Sequence, residues 1–285
     1  MSSVARVFAS ELVASLKLDA PVDLVDVTRA LGLEIRYCDS SGFDGALVCS
    51  KQNRVGAVLV KKSIRELGRR KFTIAHEIGH YVLPHHGATG SVCSAREVEN
   101  WDGSLSDQEI EANVFAGELL IPERLVDPGV RRGRPTMSII RGISATFETS
   151  LTAAAYRTMQ LTPFRAAIVW STAGVVRWFN ASDEFEAFIS VRESVAEGTY
   201  AHDCFRGIAV PDELKNVRSD LWLAPSRRVN PDYILEHSIS LPSYNSVLTL
   251  LCIEAVGHSL QDDEEGTLEE MSPEDFTLRR RNWPR

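Results

Sequence analysis

The order of apolar and polar residues predicts that the chain opens with two helices and a small sheet. Apolar side chains recur at helical spacing through residues 4–17. A second helical segment, PVDLVDVTRALGL, restarts at Pro21 and ends near Gly32. Short β-rich runs follow, LEIRYC, GALVCS and VGAVLV, with a polar KQNR turn before the last of them. These runs predict a small antiparallel sheet.

Helical spacing returns in the next part of the chain. The segment KKSIRELGRRKFTIAHEIGHYVL, residues 61–83, carries an apolar stripe, and Pro84 ends it. Residues 87–103 are rich in Gly, Ser and charge and are predicted to form a loop. A second long helix, SDQEIEANVFAGELLIPERLV, then begins with Ser106 as N-cap and Glu109 at its third position.

The rest of the chain divides into helical and β-rich segments. Residues 135–161 predict two short helices separated around residues 148–150, in the outline of a helix-turn-helix. Beyond them AAIVWSTAGVVRWF, DLWLAP, YILEHSISL and SVLTLLCIE are typical of strands. The acidic and then basic end of the chain is typical of a loosely ordered tail. The predicted organisation is a first domain, a helical extension, a β-rich regulatory or interaction domain and a tail, at residues 1–128, 129–162, 163–260 and 261–285.

Composition narrows the class of protein. The 285 residues are 44% hydrophobic with a formal charge of −8, which indicates a globular protein and argues against direct DNA binding. Five cysteines without a CxxC pair are typical of reduced thiols. The first residues lack the features of a signal peptide, and no apolar run is long enough to span a membrane. We therefore expect a cytoplasmic protein without a membrane partner.

The HEIGH motif on the predicted helix of residues 61–83 points to metal chemistry. His76 and His80 are four residues apart, so both imidazoles can reach one ion from the same helical face. Glu77 lies where its carboxylate can contact a water on that ion and act as general base in peptide hydrolysis. HExxH arises by chance in roughly one such chain in a hundred. The apolar flanks of the motif favour a buried active-site helix over two incidental histidines.

A catalytic zinc needs a third protein ligand, and spacing alone leaves several alternatives. His86 fills the last position of the longer HExxHxxGxxH pattern, which lacks its glycine here. A carboxylate from the following helix is the other solution, and that helix offers Glu109, Glu111 and Glu118. Helical periodicity does not choose between these acids.

Two motifs together resemble a known family. RRKFTIAHEIGHYVL, followed about thirty residues later by EIEANVFAGELLIP, resembles the ImmA/IrrE family of metallopeptidases, and the resemblance extends over most of residues 4–183. It implies an α+β fold with a zincin-like core and Zn²⁺ as cofactor, with Mn²⁺ as an alternative divalent ion. It also implies that Glu109 is the third ligand, with Asn113 supporting the site from one turn further on. Glu111 and Glu118 are then surface or structural acids.

The same resemblance implies a substrate. Members of the family cleave helix-turn-helix repressors and thereby release stress-response or mobile-element genes, so we expect a protein substrate of this kind. For residues 135–161 we favour a helical buttress over DNA contact. The alternative function is a non-catalytic regulator that binds a repressor or DNA through a degenerate peptidase fold, which the intact Glu77 argues against.

Two features of the site stay open at this point. Donors for the oxyanion are sought among Tyr81, His85, His86 and Tyr156, although the two histidines lie beyond Pro84 and are interpreted as bystanders. A substrate peptide is expected to add to an edge strand within residues 45–49 or 55–60.

Overall fold

Two sheets and the helices packed on them make an α+β fold, as the sequence predicts. The computed structural model describes residues 2–50, 55–86, 91–93, 106–225 and 231–254, with the backbone alone for residues 2, 3, 50, 55 and 91–93. The α-helices in these ranges are α1 (Ser2–Ser15), α2 (Leu24–Ala30), α3 (Leu67–Val82), α4 (Asp107–Leu120), α5 (Pro128–Arg132), α6 (Met137–Phe147), α7 (Leu151–Leu161) and α8 (Tyr200–Phe205). The strands are β1 (Leu33–Cys38), β2 (Gly45–Ser50), β3 (Val55–Lys61), β4 (Ser91–Cys93), β5 (Ala166–Thr172), β6 (Val175–Ala181), β7 (Lys215–Arg218), β8 (Tyr233–Leu241) and β9 (Ser246–Cys252). Within this part of the chain, every helix is too short or too polar to cross a membrane.

The first sheet has the order β1–β3–β2–β4. β2 pairs antiparallel with β3 and β4, whereas β1 runs parallel to β3, so the prediction of a purely antiparallel sheet is wrong for one pair. The chain reverses direction between β1 and β2 and again between β2 and β3, which makes the first and third strands parallel. β2 and β3 are interior strands of the described sheet, so the prediction that one of them is a free edge is also wrong.

Helices α3 and α4 pack against each other beside the first sheet. α3 begins at Leu67, six residues later than its pattern predicts, because the preceding residues extend β3 as far as Lys61. α4 begins after Ser106, whose side chain accepts a hydrogen bond from the Glu109 backbone amide, as predicted. A Cβ on Gly79 of α3 would lie 3.2 Å from the Ala112 Cα, so this glycine allows close contact between the two helices.

The second sheet is antiparallel, with the order β6–β5–β9–β8–β7. Four of its strands lie where the sequence predicts them. The predicted DLWLAP strand is wrong, because its first two residues lie in a 3₁₀ turn at Ser219–Leu221 and its only pairing is an isolated β-bridge between Leu223 and Ile189. The edge strand β7 was not predicted, since KNVR contains a single apolar residue and offers no hydrophobic alternation.

The hydrophobic core joins the second sheet to the helices. Ala166 and Ile168 of β5 lie in the same buried cluster as Phe115 of α4 and Met159 of α7. Alternate residues of the strand, such as Val169, belong to a second cluster on the opposite face of this sheet. The boundaries proposed at residues 128, 162 and 260 stay predictions. The predicted KQNR turn, the tail at 261–285 and most of the 87–103 loop, in which β4 lies, fall outside the described residues.

Candidate metal centre

The two histidines of the HEIGH motif face a single point from consecutive turns of α3. His76 and His80 are 0% and 5% exposed, and their Nε2 atoms are 3.1 Å apart. Glu109, in the first turn of α4, places Oε2 3.0 Å from His76 Nε2 and Oε1 3.3 Å from His80 Nε2. Two imidazole nitrogens and a carboxylate therefore converge closely enough to share one ion. This donor set fits a divalent metal such as zinc.

The charge state of Glu109 suits it to hold a cation. Burial alone would raise the pKa of its carboxyl group. The contacts with His76 and His80 outweigh burial and bring that pKa well below its ordinary value. The carboxylate is therefore ionised at neutral pH.

Asn113 fixes which nitrogen of His76 faces the other donors. Its amide oxygen Oδ1 lies 2.8 Å from His76 Nδ1, and both side chains are buried. Because an amide oxygen only accepts, Nδ1 carries the proton and Nε2 keeps its lone pair for a metal. Asn113 thus contacts His76, and its supporting role stays a prediction.

Glu77 lies on α3 directly after the first histidine and is completely buried. β2 passes against it without a side chain, because a Cβ on Gly45 would stand 2.7 Å from Glu77 Oε1 and 2.5 Å from Thr73 Cγ2. A glycine is thus required for the strand to run this close to α3. The role of Glu77 as general base stays a prediction.

The other two acids of α4 have different surroundings. Glu118 is 3% exposed and forms a buried ion pair with Arg157 of α7, so it is structural. Glu111 is not a surface acid, since only 14% of its side chain is exposed and its Oε2 contacts both His85 and His86. Helical periodicity does not distinguish Glu109, Glu111 and Glu118, but the side chains that each of them contacts do.

His86 is a buried neighbour of the predicted ligand His80. It is 2% exposed and its Nδ1 lies 2.9 Å from His80 Nδ1, so it does not face solvent, while its interpretation as a bystander stays a prediction. Burial lowers its pKa, and the hydrogen bond to Glu111 opposes that effect. Its position beyond Pro84 hid it from helical periodicity. The match to the last histidine of the longer motif was the available signal.

Of the candidates for an oxyanion donor, Tyr81 is directed elsewhere. Its hydroxyl donates to the Leu31 carbonyl oxygen at 3.3 Å, which leaves it no proton for a substrate. His85 is half exposed and contacts Glu111. Burial raises the pKa of Tyr156, which lines a cleft of about 610 Å³ next to Phe72, one turn before His76.

Comparison with known proteins identifies the domain that holds these residues. The family model for the IrrE N-terminal-like domain matches residues 28–159, which include all of α3 and α4. The chain is also 27% identical over 162 residues to the radiation response metalloprotease IrrE of Deinococcus deserti, a match that covers 55% of this chain and 54% of that protein. The chain thus matches about half the length of this curated relative. Residues 28–159 are thus similar to the IrrE N-terminal-like domain, which agrees with the resemblance of the two sequence motifs to the ImmA/IrrE family of metallopeptidases.

Proposed function

We propose that this protein is a zinc-dependent endopeptidase in which His76, His80 and Glu109 hold the metal and Glu77 is the general base. The convergence of His76, His80 and Glu109 on one point carries this proposal, together with the buried carboxylate of Glu77, which directly follows His76 on α3. Two imidazoles and one carboxylate are a common protein ligand set of catalytic zinc, with one position left for water or substrate. Mn²⁺ is the alternative ion, because it also accepts nitrogen and carboxylate ligands.

The proposed reaction divides between the ion and Glu77. A divalent ion held at this site supplies a Lewis acid for the scissile carbonyl and lowers the pKa of a water. The Glu77 carboxylate takes the proton from the attacking water and passes it to the nitrogen of the leaving amine. Its burial excludes bulk water, which strengthens the electrostatic interactions of this carboxylate.

The proposed substrate is a helix-turn-helix transcriptional repressor, cleaved in the cytoplasm so that stress-response or mobile-element genes are released. The similarity of residues 28–159 to the IrrE N-terminal-like domain supports this choice, and the name of the Deinococcus deserti relative connects that protein with the response to radiation. The cleft beside Phe72 contains the stacked rings of Trp170 and Trp178, with centroids 6.0 Å apart, and offers an apolar surface to a peptide side chain.

Direct DNA binding by the α6–α7 pair is not part of the proposal. Arg157, one of the few basic residues in this pair, is buried in the ion pair with Glu118 and is withdrawn from any phosphate. The turn between the two helices packs tightly on α3, since a Cβ on Gly68 would stand 2.4 Å from the Ser150 backbone nitrogen. These contacts favour a buttress for the catalytic helix.

Cleavage assays on helix-turn-helix repressors encoded beside the gene test the proposal. We expect Zn²⁺-dependent fragments from the wild type, loss of cleavage after chelation, and recovery on adding Zn²⁺. Glu77→Gln should reduce the rate by about 10²–10⁴-fold while zinc content stays unchanged. The exposed Glu11→Gln on α1 is the matched control and should cleave normally. Unchanged cleavage by Glu77→Gln contradicts the proposal, and a stable repressor complex without fragments favours a non-catalytic regulator.

A further inference from the structure

A second group of titratable side chains lies directly behind His80. His86 is buried and places Nδ1 2.9 Å from His80 Nδ1, on the side of that ring away from Glu109. The Nε2 atom of His86 lies 3.0 Å from Glu111 Oε2, and the half-exposed His85 contacts the same carboxylate oxygen. A continuous chain of contacts therefore runs from the α4 carboxylate through His86 to a proposed metal ligand.

The positions of the protons in this chain follow from the ligand role of His80. If His80 Nε2 gives its lone pair to a metal, the neutral ring carries its proton on Nδ1 and donates it. His86 Nδ1 must then accept, which puts the proton of the neutral His86 ring on Nε2. This Nε2–H points at Glu111 Oε2, a carboxylate oxygen that accepts. Every contact in the chain has one donor and one acceptor.

We propose that His86 and Glu111 are positioning residues that fix the tautomer and the ring orientation of His80. The inference rests on the proposed metal site and extends it to the partners of its ligands. Asn113 performs the same task for His76 with an amide oxygen, since that oxygen accepts from His76 Nδ1 at 2.8 Å. Partners of this kind make the ligand ring more basic and reduce its freedom to rotate.

The same three side chains could instead hold a second metal ion, since His85, His86 and Glu111 present ligand atoms close together. An ion on His86 Nε2 would force the His86 proton onto Nδ1. That proton would face the proton of His80 Nδ1 across 2.9 Å, so two donors would oppose each other. These contacts are therefore incompatible with ions at both sites. The chain of hydrogen bonds from His80 through His86 to Glu111, called the relay below, is the arrangement that supports an ion at the site of His76, His80 and Glu109.

Zinc affinity, measured by competition with a chromophoric chelator, tests the relay without any peptidase assay. His86→Phe keeps a ring of similar size but removes the acceptor, and we expect zinc binding to weaken about 10–100-fold. His86→Asn puts an amide oxygen near the former Nδ1, as Asn113 does for His76, and should restore most of the affinity. His85→Phe removes a contact to Glu111 without touching His80, and it is the matched control with affinity near that of the wild type.

Cobalt substitution gives a second readout. The visible absorption of bound Co²⁺ should change in His86→Phe and stay unchanged in His85→Phe, because only the first alters the orientation of a ligand. Circular dichroism checks folding, and Glu111→Ala replaces His86→Phe if that variant does not fold, with an expected loss of about tenfold in zinc affinity.

Three results would overturn the inference. The first is that His86→Phe binds zinc as tightly as the wild type. The second is that His86→Asn binds zinc no more tightly than His86→Phe. The third is that the wild type binds two zinc ions per chain and His85→Phe binds only one. A wild type that binds one zinc but cleaves no repressor would contradict the proposed substrate and leave the relay intact. A wild type that binds no divalent ion would remove the basis of both.

Discussion

Neutralising Glu118 should destabilise the fold, because this carboxylate is the counter-ion of a buried arginine. The side chains of Arg157 and Glu118 are 2% and 3% exposed, and the guanidinium Nη2 donates to Glu118 Oε2. Arg157 Nε also donates to the Ile121 carbonyl oxygen at 3.0 Å, and Glu118 Oε1 accepts from Ser10 Oγ at 3.1 Å. The pair thus connects α7, the end of α4 and α1. Burial lowers the pKa of Arg157, and the charge of Glu118 opposes that effect.

The size of the effect follows from this burial. Removing one member of a buried ion pair leaves a charge without a counter-ion in a medium that screens it little, which typically costs about 3–5 kcal/mol. We therefore expect Glu118→Gln to reduce the free energy of unfolding by about this amount. Removing both charges together, as in Glu118→Leu with Arg157→Met, should recover most of the loss, since apolar replacements of a buried pair are often neutral.

Urea denaturation followed by circular dichroism measures these changes. The control is Glu34→Gln at the exposed pair formed with Arg36, where both side chains are more than 60% exposed, and it should leave the unfolding midpoint unchanged. If the free energy of unfolding of Glu118→Gln lies within about 1 kcal/mol of the wild-type value, the reasoning is refuted, because removing the partner of a buried charge should destabilise the fold by more than this. A double variant as unstable as the single one would show that packing matters more than charge.

Two further predictions concern the close approach of β2 to α3 and the buried thiols. Gly45→Ala places a Cβ 2.7 Å from Glu77 Oε1 and 2.5 Å from Thr73 Cγ2, so it should displace the carboxylate and reduce peptidase activity while zinc content is preserved; normal activity would contradict the proposed position of the base. Burial raises the pKa of Cys252 to about 12, so roughly one thiol in 10⁴ is ionised at pH 8. Mass spectrometry after iodoacetamide treatment should find the partly exposed Cys38 labelled and Cys252 unlabelled until urea unfolds the chain; early labelling of Cys252 would contradict its burial.

Sequence patterns predicted the elements whose signals are local. The N-cap of α4 at Ser106 and the strand β8 at Tyr233–Leu241 lie where hydrophobic periodicity and capping rules place them. The predicted start of α3 is wrong because residues 62–66 carry helix-forming side chains but form the turn that connects β3 to α3. The parallel pairing of β1 with β3 depends on contacts between distant segments, which no local pattern contains.

The candidate site shows the same division between local and long-range information. His76, Glu77 and His80 follow from spacing within one helix, because a helical turn fixes which side chains share a face. Choosing Glu109 from the acids of α4 required the family resemblance, since its contacts depend on how two helices pack. Spacing offered His86 only as an alternative ligand, and neither argument predicted its burial, which depends on how the chain turns back onto α4 after Pro84.

Helix α4 provides more of the proposed metal centre than a single ligand. Glu109 would bind the ion, Asn113 accepts from the ring of His76, and Glu111 accepts from His86 behind His80. These three residues span little more than one turn, so a rotation of α4 against α3 would misalign the ligand and both supports together. The close contact at Gly79 holds the two helices in register, and we infer that the geometry of the whole site depends on this one helix interface.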